Sequence, residues 1–142
     1  MTKALRTQFV IADAKRARWI QHSPTAADFV TLQERHAPPE AYDLDPQGVV
    51  FEGGVRRSIV GERDTALRHR HAVFAESVAD AISAQADALE RLVIVAPARV
   101  LEVIRDRLSP PARARLVSTL AKDLTKIPDH ELTKWLRPLE FG

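Results

Sequence analysis

Arg91-Leu-Val-Ile-Val-Ala-Pro97 decides the architecture of this chain. From Leu92 to Ala96 no side chain is polar, so a strand formed here has no face to offer water. It must be covered on both sides, as inner strands are in a parallel sheet flanked by helices. Pro97 ends the run, and Leu101, Ile104 and Leu108 then recur at helical spacing, which predicts a helix over 97–108. Pro110 and Pro111 prevent its continuation. The stretch 116–121 is a further candidate strand, while 113–120 can also be read as beginning helically. A last helix starts near Pro128, a favoured first-turn residue, and packs through Leu132, Trp135 and Leu136.

Upstream of this stretch, residues 9–13 are rich in β-formers and break at Asp13-Ala-Lys15, which reads as a tight turn. Residues 16–22 alternate, with Ala17 and Trp19 on one side and Arg18 and Ile20 on the other. Ser23-Pro-Thr25 makes the next turn, and 28–34 supplies a third strand through Phe29, Val30 and Leu32. Strands joined by such short turns form an antiparallel meander.

Between 35 and 63, Pro38, Pro39, Pro46, Gly48, Gly53, Gly54 and Gly61 interrupt every period, and only Val49-Val50-Phe51 looks extended. The stretch reads as a long flexible loop that orders on contact with a partner. Asp64 then caps a helix over 65–85 with Leu67, Phe74, Val78 and Ile82 on its apolar side and Glu76, Asp80 and Ser83 facing away. The expected order is β-β-β-α-β-α-β-α. This is a single α/β domain over 1–142, with a five-stranded mixed sheet in a ribonuclease H-like arrangement. Architecture alone assigns no function.

Composition narrows the classes. A chain of 142 residues, 45% hydrophobic and 28% charged, is one ordinary globular domain. A net charge of +2 with a pI of about 9.3 permits contact with nucleic acid without requiring it. With no cysteine, disulfides, thiolate nucleophiles and cysteine-ligated zinc are excluded. No glycine-rich phosphate loop follows any strand and no serine stands in a Gly-x-Ser-x-Gly setting, so no cofactor is expected. No stretch approaches the ~20 apolar residues of a membrane span, and the first residues lack an apolar run of export-signal length. The expectation is a cytoplasmic protein without membrane insertion; its oligomeric state is left open.

Four segments carry a family resemblance: Val10-Ile-Ala-Asp13 with Ala17-Arg18, Phe74-Ala-Glu76 with Val78-Ala79, Leu92-Val-Ile-Val-Ala-Pro97, and Lys122-Asp-Leu-Thr125. Together the chain resembles the bacterial host attachment protein family, which is itself similar to the central domain of archaeal and eukaryotic peptide-chain release factors. The resemblance implies an attachment-related phenotype and a translation-linked or RNA-associated role, with the ribosome, tRNA, another RNA or a protein as partner. An arginine-rich Asp-Arg-Pro-Gly-Arg-like element is expected of the family; here Asp45-Pro-Gln-Gly48 is followed by Val49, without either arginine.

Three groups bear on chemistry. Gly53-Gly54 invites comparison with the Gly-Gly-Gln tripeptide of release factors, whose glutamine amide positions the attacking water; here the third residue is Val55, which has no such group. Asp13 stands where a ribonuclease H-like nuclease carries a metal-binding carboxylate, but such a site needs several converging acids and the fourth strand ends in Ala96-Pro97. Arg56, Arg57, Arg63, Arg68 and Arg70 form a basic group around the loop and the first helix, readable as a phosphate contact or as a solvated face. His69 and His71 stand about 200° apart on a helix, so they cannot share a metal; one leans to the core and one to solvent. Lys122, Lys126, Lys134 and Arg137 read as ordinary surface charge. The expected function is a non-enzymatic binding module. A metal-dependent nuclease and a structural protein that promotes attachment are the alternatives.

Overall fold

A computed structural model describes residues 6–22, 29–38 and 53–140, the side chains of 53–64 and 140 apart. Its elements are β1 (Thr7–Ala12), β2 (Arg16–His22), β3 (Phe29–His36), α1 (Gly53–Ala84), β4 (Arg91–Ala96), α2 (Ala98–Arg107), α3 (Pro110–Arg115), β5 (Leu116–Ala121) and α4 (Asp129–Glu140). The strands make one sheet in the order β3-β2-β1-β4-β5. β1, β2 and β3 pair antiparallel as the expected meander, and β4 pairs parallel to both β1 and β5.

The apolar run at the centre feeds two cores by alternation. Leu92, Ile94 and Ala96 join Val10, Ala12 and Trp19 on the face covered by Phe74, Val78 and Ile82 of α1 and Leu101, Ile104 and Leu108. Val93 and Val95 join Phe9, Ile11, Ile20 and Phe29 on the opposite face, under Leu124 and under Leu132 and Leu136 of α4. All five residues of the run are fully buried. Burial of each large side chain contributes roughly 1.5–3 kcal/mol.

Three boundaries differ from the sequence reading. Helix α1 begins at Gly53 rather than after Asp64, so the backbone of 53–63 is helical and not part of a loop. Within 55–63 only Gly61 is a poor helix former and there is no proline, and one glycine costs a helix only about 1 kcal/mol. Residues 35 and 36 belong to β3, while 39–52, including Val49-Val50-Phe51 and the Asp45-Pro-Gln-Gly48 element, lie outside the described residues. Pro110 and Pro111 end α2 but also start α3, whose cap is Ser109; its Oγ accepts from the Ala112 N–H at 3.4 Å. Among the described residues the order of strands and α-helices is therefore β-β-β-α-β-α-α-β-α.

Among the residues of α1 whose side chains are described, burial is concentrated in its last third. Its buried stripe begins at Phe74 and ends at Ile82, whereas 65–70 are exposed apart from half-buried Leu67. At a rise of about 1.5 Å per residue, the turns before Phe74 extend the helix by ~30 Å. The chain returns from the end of α1 through a short 3-10 turn, Ala86–Ala88, to the start of β4. Helix α1 thus runs antiparallel to β4. Side-chain contacts tie its packed part to its neighbours: the Arg35 guanidinium donates to the Ser77 carbonyl at 3.5 Å, Arg107 of α2 pairs with Asp80 at 2.9 Å and Glu76 at 3.3 Å, and the Ser83 hydroxyl accepts from the Ser109 N–H at 2.9 Å. The Arg107 hydrogen bond and charge hold the exposed Asp80 carboxyl below its ordinary value.

Candidate nucleic-acid interface

The five arginines singled out in the sequence all fall on α1. Arg56, Arg57 and Arg63 stand in its first turns, and their side chains lie outside the described residues. Arg68 and Arg70 are exposed, and so is His69. His71 is half-buried, with its Nε2 shielded from water and without a hydrogen-bond partner among the described residues. The histidines therefore divide between core and solvent, as their spacing predicts. Gly53-Gly54 opens the helix, so the first of the five arginines follow the glycine pair within its opening turns.

Lys122-Asp-Leu-Thr125 begins where β5 ends at Ala121. Three anchors hold that segment. The Lys122 N–H donates to the Ala96 carbonyl at 3.0 Å, tying it to the end of β4. The Thr125 hydroxyl lies 2.6 Å from Asp123 Oδ1 and 2.9 Å from Asp13 Oδ2, tying it to the end of β1. The third anchor is Arg18.

Arg18 is 6% exposed, and it lies on the same side of β2 as Ile20, as the alternation requires. Its Nη1 donates to the carbonyls of Thr125 at 3.2 Å and Ile127 at 2.6 Å, with a longer contact to Leu124 at 3.5 Å. Its Nη2 donates to Thr31 Oγ1 at 3.0 Å and to the Asp129 carboxylate, the first residue of α4. Asp129 also accepts from the Thr31 N–H at 3.0 Å and from the Thr31 hydroxyl at 2.6 Å. Burial pulls the Asp129 carboxyl upward, but the Thr31 hydrogen bonds and the Arg18 charge outweigh it and leave the group below its ordinary value. Arg18 and Asp129 thus lock β2, β3, the Lys122–Thr125 segment and the start of α4 into one unit. The sequence reading placed Arg18 on the correct face without assigning it a role.

Asp13 acts as a turn former: its Oδ1 accepts from the N–H groups of Lys15 and Arg16, both at 2.8 Å. It is not the isolated acid that the sequence suggested, because Asp123 meets it across Thr125. Asp123 is itself engaged locally, its Oδ1 accepting from the Thr125 N–H at 3.0 Å. Among the described residues no three histidine, cysteine or acidic side chains stand close enough to hold one metal ion. Lys122 is exposed, and its Nζ lies 3.9 Å from the centre of the Trp135 ring, a cation–π contact. Lys126, Lys134 and Arg137 are exposed as well. No helix among the described residues is long and apolar enough to cross a membrane.

One known structure shares this fold. The archaeal translation termination factor aRF1 superposes with a TM-score of 0.51 at 10% identity, over 94% of this chain and 38% of that one. Dom34 of S. cerevisiae, a translation termination-like factor involved in RNA quality control, aligns at a TM-score of 0.43 and 10% identity, over 95% of this chain and 38% of its own. The chain therefore spans well under half the length of either structure. No curated protein matches its sequence. The profile of one protein family does, from residue 8 to residue 136, and it covers all five strands but for the first residue of β1, as well as Arg18, Asp13 and the Lys122–Thr125 segment. This chain belongs to the family of proteins required for attachment to host cells.

Proposed function

We propose that this domain is a cytoplasmic, non-enzymatic binding module that contacts RNA, free or within the ribosome, through the part of α1 that precedes its buried stripe. The observation that carries the reading is the helix itself: its backbone continues ahead of the buried stripe, and exposed Arg68 and Arg70 lie on that part. Over 65–70 only Leu67 is half-buried, so this stretch gains little stability from the core, which supports a role in contact with a partner. The fold shared with an archaeal translation termination factor supports an RNA of the translation apparatus as that partner. The module does not hydrolyse peptidyl-tRNA in this reading, since Gly53-Gly54 is followed by Val55, whose side chain can neither donate nor accept a hydrogen bond. Attachment to host cells then follows indirectly from the RNA contact.

A metal-dependent nuclease is the second reading, supported by the approach of Asp123 to Asp13 across Thr125. It is weaker because each carboxylate already accepts backbone N–H groups in its own turn. RNA cleavage dependent on a divalent cation and lost in Asp13→Asn would establish it.

Salt dependence tests the binding reading. If Arg56, Arg57, Arg63, Arg68 and Arg70 each neutralise a phosphate of single-stranded RNA, the log–log slope of affinity against salt is roughly −3.5, at about −0.7 per phosphate. Arg68→Ala combined with Arg70→Ala should flatten it by about 1.4. Alanine retains helix propensity, so circular dichroism should be unchanged. Equal, weak binding with the same slope in both proteins would make these arginines a solvated face.

A further inference from the structure

Among the described phenylalanine and tryptophan residues, Phe9, Trp19, Phe29 and Phe74 are buried, and Trp135 of α4 alone reaches the surface, half-buried. It packs against the core that contains Leu132 and Leu136, and its Nε1 is shielded from water without a hydrogen-bond partner among the described residues. What the indole offers a partner is therefore a ring face and not its N–H. That face is covered by the ammonium of Lys122, 3.9 Å from the ring centre and carried on an exposed side chain. The backbone beneath the lysine is fixed. Its N–H is bound to the Ala96 carbonyl, and the Leu124 and Thr125 that follow are buried with their carbonyls held by Arg18. Only the lysine side chain has to turn to uncover the ring.

We infer that Trp135 is a stacking platform for an unpaired base of single-stranded RNA, and that Lys122 moves from the ring to the phosphate of the same nucleotide. The inference rests on the RNA reading above and adds a contact apart from α1. An exposed cation–π contact is weak and base–aromatic stacking is stronger, so a base displaces the ammonium from the ring. The displaced ammonium, on its fixed backbone, stays within reach of the nucleotide that replaced it. Sequence-tolerant stacking of this kind needs a splayed-out base, so the platform selects single strands, loops or ends over a duplex. Two acids limit the electrostatic share. Asp123, next to Lys122, accepts from the Thr125 N–H and hydroxyl, and Glu131, one helical turn before Trp135, is exposed. Stacking, which depends little on charge, therefore carries the recognition.

Tryptophan emission reads the contact. Trp19 is 5% exposed in the opposite core, so quenching by added RNA reports Trp135. A short single-stranded oligoadenylate should quench the full chain saturably, and the same strand annealed to its complement should not. Trp135→Leu should weaken binding of the single strand by about tenfold without changing the salt slope, whereas Trp135→Phe, which keeps a ring face, should retain most of the affinity. Binding without quenching, equal quenching by the duplex, or Trp135→Phe as weak as Trp135→Leu would overturn the inference and leave the α1 contact standing. No binding of RNA by the wild type at any salt concentration would overturn both.

Discussion

Ile94→Asp is expected to leave no folded protein. Ile94 is fully buried, with Val10 of β1 beside it on one side and Thr119 of β5 on the other, and its side chain lies in the core beneath α1 and α2. The substitution removes a branched side chain worth roughly 2–5 kcal/mol in such a core. It also puts a carboxyl where no donor stands, and a buried unpaired polar group costs a further 1–3 kcal/mol or more. The sum is comparable to the entire stability of a small domain, about 5–15 kcal/mol. The expected readout is insoluble protein, or a chain without a cooperative thermal transition. A soluble Ile94→Asp protein with an unchanged Tm would refute the placement of β4.

Arg18→Ala should destabilise by about 1–3 kcal/mol, the cost of leaving buried acceptors without their donor. Two effects act together. Asp129 loses its cation, and the carbonyls of Thr125 and Ile127 lose their donor. The carboxylate side of the pair is partly exposed, with 40% of the Asp129 side chain accessible, so solvent screens it and most of the loss comes from the carbonyls. The pH profile carries a second signature. Because the Asp129 carboxyl is lowered in the folded state, its contribution is complete above the unfolded value of about 3.9 and disappears as pH falls through the lower folded value. Denaturant midpoints measured from pH 7 downward should show that acid loss in the wild type and a smaller one in Arg18→Ala, where the Thr31 hydrogen bonds still lower the group. A loss below about 1 kcal/mol would show that the segment after β5 is held without Arg18.

Local pattern made most of the sheet readable. The unbroken run from Leu92 to Ala96 demanded cover on both faces, and each face received its own core. The alternation over β2 set Arg18 on the side of Ile20, so an arginine directed into a core was already implied. Its partners were not, because Thr125, Ile127 and Asp129 stand more than a hundred residues away and nothing local couples them. The meeting of Asp13 with Asp123 was hidden for the same reason. The start of α1 was missed by counting Gly53, Gly54 and Gly61 as breakers, although a long helix tolerates isolated glycines. Helix α3 had a legible signal in Ser109-Pro110, a capping residue followed by proline at the first helical position, which the double proline masked.

The central claim, that this family member acts by contacting RNA, is tested most directly by affinity capture of the full chain from the cytoplasm of its own cells, with and without ribonuclease. The account predicts recovery of ribosomal components or tRNA in the untreated sample. That recovery should be lost after ribonuclease and reduced in the Arg68→Ala, Arg70→Ala double variant. Capture of protein partners alone, unchanged by ribonuclease and by the double variant, would contradict it.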